Sequence, residues 1–61
     1  MEITITKNQN TKLWTALLKM DGYADHQSSD RVGCAVRDVL NRFEYTMGKP
    51  SGDLVITIEG W

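Results

Sequence analysis

The stretch TKLWTALLKMDG (residues 11–22) decides how the rest of the chain is read. Placed on a helical wheel at ~100° per residue, Leu13, Trp14, Ala16, Leu17, Leu18 and Met20 cover an arc of about 200°, and Thr11, Lys12, Thr15 and Lys19 keep a narrow polar side. This pattern predicts a helix over residues 11–21. Asn10 or Thr11 would accept a hydrogen bond from its first free amides, and Gly22 would end it. The apolar arc is wider than one small core uses. If Leu13, Leu17 and Met20 face a sheet, Trp14 and Leu18 are left over at i and i+4. They would then pack on a neighbouring helix or beneath a loop, or form part of a partner-binding surface, where tryptophan is a favoured anchor.

Upstream, EITIT (residues 2–6) alternates Ile3 and Ile5 with Glu2, Thr4 and Thr6, the period of a strand with one wet face, and the polar KNQN closes it. Downstream, YADHQSSD (residues 23–30) is too polar to carry a core and is expected to be a loop, with Ser28 or Ser29 capping a second helix. That helix spans residues 30–46. Val32, Ala35, Val36, Val39, Leu40, Phe43 and the following Met47 fall within about 140° of arc. Gly48 and Pro50 stop it, KPSGD turns, and LVITIE sends Leu54, Ile56 and Ile58 one way and Val55, Thr57 and Glu59 the other.

The expected architecture is therefore an α+β, two-layer β-α-α-β sandwich forming one domain over residues 1–61. Its terminal strands pair as a two-stranded antiparallel sheet, packed against a helical hairpin. The expected core sets Ile3, Ile5, Leu54, Ile56 and Ile58 against Leu13, Leu17, Val36, Val39 and Phe43. Two open edges would leave such a sheet marginal, so homodimerisation into four strands is the expected remedy.

A domain of 61 residues buries only ~60% of the surface of its unfolded chain. One cysteine, Cys34, and one histidine, His26, provide neither an internal disulfide nor a structural zinc set, so no cofactor or metal is expected. No signal-type succession opens the chain, and apolar runs stop at two or three residues, which points to a cytoplasmic protein. The free thiol agrees with a reducing compartment. Seven basic against eight acidic residues give a net charge of −1, so no general attraction to nucleic acid operates.

No nucleotide-binding, metalloprotease or nucleophile-elbow motif occurs, and Cys34 and His26 are poorly placed for a thiolate pair, so an enzyme is not expected. Asp21, Asp25 and Asp30 surround His26 without the spacing of a calcium loop. Asp38 and Arg42 are spaced for a helical i,i+4 pair. Opposite the apolar face of the second helix, Cys34, Asp38, Asn41 and Tyr45 form an outward stripe, and Trp61 follows Gly60 beyond the last strand.

These features favour a non-enzymatic protein-binding module. Trp14, Leu18, Cys34, Tyr45 and Trp61 would be its contact residues, and an inhibitor or adaptor role suits its size and initiator methionine. Proteins of this kind are common among those encoded by phages and mobile elements. A second function class comes from resemblance. EITIT (residues 2–6) and VRDVLNRF (residues 36–43) give the first 45 residues a likeness to the ribbon-helix-helix repressors. That likeness implies a dimer whose paired N-terminal strands enter the DNA major groove, with Glu2, Thr4 and Thr6 as reading side chains and Lys7 near phosphate.

Overall fold

The computed structural model describes residues 1–49 and 52–59. The elements run β1 (Glu2–Lys7), β2 (Trp14–Met20), β3 (Tyr23–Ser29), α1 (Val32–Met47) and β4 (Val55–Ile58). The protein is a small α+β fold with one helix over one face of a four-stranded mixed sheet of order β3-β2-β1-β4. This corrects the expected two-stranded sheet and helical hairpin: the first helix is β2, and the polar loop is β3.

Residues 11–22 form strand and turn because their alternation suits a sheet. Trp14, Ala16, Leu18 and Met20 share the face of Ile3 and Ile5, while Thr15, Leu17 and Lys19 share the opposite one. Ala16 and Leu18 are buried, and Leu13, Leu17 and Met20, expected to face the sheet, are exposed. Thr11 Oγ1 does accept an amide, that of Leu13 at 3.3 Å, but in a hairpin loop and not at a helix start, and the main acceptor there is Asn8. Its side-chain Oδ1 accepts from the amides of Asn10 (2.8 Å) and Thr11 (3.1 Å). Its carbonyl accepts from the Lys12 amide, and its own amide donates to the Leu13 carbonyl, both at 2.8 Å.

Asp21 and Gly22 then form a two-residue connection between Met20 and Tyr23, which pair across it. Gly22 adopts φ 78°, a left-handed conformation glycine enters at little cost. β3 follows antiparallel to β2, with Tyr23, Asp25, Gln27 and Ser29 on the helix side. Only Tyr23 contributes apolar bulk there, its ring meeting Phe43 edge to face at 5.3 Å.

α1 begins after Arg31, whose backbone is extended and whose side chain makes no capping bond. Neither Ser28 nor Ser29 caps it as expected; Ser29 Oγ accepts from the Arg31 amide at 3.4 Å. The helix ends at Gly48, φ 85°, whose amide donates to the Glu44 carbonyl. Its seam of Ala35, Val39 and Phe43 completes a buried core with Ile3, Ile5, Ala16 and Leu18. The helix lies mainly over β2 and β3.

The chain then returns to the opposite edge of the sheet. The terminal strands are neighbours, as expected, but they are parallel: Ile3 stands beside Ile56 and Ile5 beside Ile58. β1 is thus an interior strand, hydrogen-bonded to β2 on one side and β4 on the other. The ribbon-helix-helix arrangement needs a free β1 edge to pair with a second chain, and this fold has none.

Candidate interaction surface

β4 is an edge strand, and the helix leaves it largely bare. Ile56 and Ile3 are partners in register on the same face, yet Ile3 is 0% exposed and Ile56 is 45% exposed. The cause lies in the position of α1. Arg42, on one flank of the Ala35–Val39–Phe43 seam, reaches Asp25 of β3, which places Val36, Leu40 and Met47 on the opposite flank, toward β1 and β4. Val36, Leu40 and Ile58 are half-buried against the core, whereas Met47, Leu54, Val55 and Ile56 are exposed. The result is an apolar strip of Met47, Leu54 and Ile56 on the helix side of the sheet edge, with Val55 on the opposite face.

The backbone of β4 gives that edge its polarity. The Val55 amide donates to the Met1 carbonyl at 3.0 Å and the Glu59 amide to the Ile5 carbonyl at 2.7 Å. Main-chain groups alternate sides along a strand, so those of Ile56 and Ile58 point away from β1 toward the open side. The N-terminal ammonium donates to the Asp53 carbonyl at 3.2 Å and tethers the approach to the strand. Opposite, the β3 edge is polar. There the Arg42 Nε and Asp25 Oδ2 lie 2.6 Å apart, and the guanidinium beside Asp25 holds its carboxyl below the usual range while raising the Arg42 pKa.

The residues expected to touch a partner are scattered. Leu18 is core, fully enclosed, because its strand register turns it toward the helix; it is withdrawn as a contact residue. Trp14 is half-buried against the core, with the Lys7 ammonium 5.5 Å from its ring centre. Cys34 is half-buried on α1. Tyr45 is 94% exposed and borders a shallow recess of about 360 Å³ with Asn41, Arg42 and Thr46. Trp61 lies outside the described residues. Sequence reasoning missed the β4 strip because Leu54 and Ile56 were assigned to the core.

Thr4 and Thr6 lie on the open face of the sheet, and Lys7 is drawn to Trp14, so no cationic row accompanies the threonines. A hydroxyl bond of 2.8 Å joins Thr15 and Ser28 on that face. The expected Asp38–Arg42 pair does not form: Asp38 meets Arg37 at 3.5 Å, and Arg42 goes to Asp25. Among the described residues, no three His, Cys, Asp or Glu side chains gather as a metal site, and no helix is long and apolar enough to cross a membrane. No family model, curated protein or solved structure matches the chain.

Proposed function

We propose that the protein is a non-enzymatic protein-binding module that acts as an inhibitor or adaptor by occupying a surface of a larger protein or complex in the cytoplasm. One observation carries the reading: among the described residues no strand pairs with the outer edge of β4, and that edge runs beside exposed Leu54, Ile56 and Met47 on its helix side. Strand addition needs these two components together. Outward amides and carbonyls supply the ladder, and alternate side chains supply specificity. A contiguous apolar strip rimmed by polar residues is also a general mark of an interaction site. Tyr45, fully in water on the outer face of α1, serves as a second and separate contact.

The test compares capture from source-cell lysate by the tagged protein and its Ile56→Lys variant. Ile56 is partly exposed, so the variant keeps the wild-type circular dichroism spectrum. Partner recovery falls at least ~tenfold, the equivalent of about 1.4 kcal/mol. Equal recovery by both proteins excludes the β4 strip as the contact face.

A further inference from the structure

We infer that, when no partner strand holds it, the β4 edge is occupied by a second copy of this chain, docked β4 to β4 in antiparallel fashion about a two-fold axis through Thr57, and that a larger partner's strand displaces that copy. The inference rests on the reading of that edge as a contact face and names what covers it. A strand paired with its own copy across a two-fold axis normal to the sheet is necessarily antiparallel, and the same patch serves both copies.

Main-chain direction fits this geometry. Because Val55 and Glu59 bond inward to β1, the outward peptide groups belong to Ile56 and Ile58. With Thr57 on the axis, Ile56 lies opposite Ile58 of the second copy, so each outward amide meets an outward carbonyl in reciprocal pairs. The side chains of these pairs point to the helix side, where each copy leaves its apolar strip uncovered. Both helices then stand on one face of an eight-stranded sheet, and the two strips merge between them.

Charge selects the register. With the axis on Ile56 instead, Asp53 would face Glu59 of the second copy, twice over, and like charges directly opposite are destabilising. Moving the axis to Thr57 removes that opposition. Thr57 then faces its own copy, an arrangement in which the hydroxyls hydrogen-bond, and Val55 faces the stem of Glu59. A net charge of −1 per chain adds little long-range repulsion between copies. The polar β3 edge, with Asp25, His26 and Ser28, has no matching apolar strip.

Area does not fix affinity, so self-association is followed over a wide concentration range. Sedimentation equilibrium of the full chain is run from about 5 to 500 μM, which covers dissociation constants in the micromolar range. It shows monomer passing to dimer, and Ile56→Lys weakens the association at least ~tenfold. Register is read by disulfide cross-linking in a Cys34→Ser background. Opposed residues of a non-hydrogen-bonded antiparallel pair have Cα atoms about 4.5 Å apart, within the disulfide range of roughly 4.4–6.8 Å. Thr57→Cys therefore cross-links quickly, and Ile56→Cys and Val55→Cys do so at least ~tenfold more slowly, since their copies are displaced along the strand. A monomer at every concentration overturns the inference, as does cross-linking that is fastest at position 55 or 56. If the chain stays monomeric while lysate capture still depends on Ile56, the second copy is excluded and the edge remains the contact face. If both dependences are lost, the parent reading falls as well.

Discussion

Lys12 holds a left-handed backbone, φ 63°, so that the β1–β2 loop can close on Asn8. A side chain with a Cβ pays roughly 1 kcal/mol or more in that region, and glycine does not. Lys12→Gly therefore stabilises the fold by about 0.5 kcal/mol once the greater freedom of the unfolded chain is set against the relieved strain, measured by urea denaturation. Asp25 carries a different residue-level consequence. Its folded pKa is depressed, first by the hydrogen bond from Arg42, so the ionised carboxylate binds its proton less readily when folded than when unfolded. The stability this confers is present above the unfolded carboxylate pKa near 3.9, and it is lost as pH falls through the lower folded value. Between about pH 5 and pH 3 the urea midpoint of the wild type drops, and Asp25→Asn shows a shallower decline over the same window; parallel declines would contradict the assignment. The partners of this pair were hidden in the sequence. Helical spacing suggested Arg42 with Asp38, and only the placement of α1 over β3 brings Arg42 to Asp25.

Among the elements, α1 was legible because its apolar residues fill a compact arc, whereas β2 was misread because Leu17 and Leu13 add apolar positions outside the alternating set. The signal against a helix was the width of the arc itself. Trp14 and Leu18, unplaceable on a helix facing one core, both point inward on a strand, and the excess apolar surface of that stretch falls instead to Leu13, Leu17 and Met20, which are exposed. Asp21-Gly22 carries the same lesson, since an Asp-Gly pair between strands marks a hairpin as strongly as a glycine after a helix marks its end. β3 had no hydrophobic signal to give. Its helix-facing positions are Tyr23, Asp25, Gln27 and Ser29, so pairing with β2 and contacts to α1 hold it extended. Within α1, Gly33 occupies a helical position where an added Cβ would meet no atom within 4 Å. Gly33→Ala accordingly raises stability by about 0.5–1 kcal/mol, visible as a higher urea midpoint with an unchanged slope.

For the whole molecule, one miscounted element reversed a strand. Each element runs roughly opposite to its predecessor, so four elements make the terminal strands antiparallel and five make them parallel. Adjacency of the terminal strands was readable from two similar alternating stretches, and direction depended on the chain between them. The same recount takes Trp14 and Leu18 out of the spare apolar surface and adds β4 to it, because a single helix seated over β2 and β3 is too narrow to cover the far edge. The two edges of the sheet consequently differ: β3 is polar and tied to α1, and β4 is apolar and open. Amide hydrogen exchange reads this asymmetry directly. In dilute solution the Val55 and Glu59 amides, bonded to β1, exchange more slowly than those of Ile56 and Ile58, which face outward. Raising the protein concentration into the range where β4 edges pair slows Ile56 and Ile58 selectively, while amides on the outer edge of β3 keep their rates. Uniform slowing of both edges would mean that association does not run through β4, and unchanged Ile56 and Ile58 rates would mean that no strand adds there.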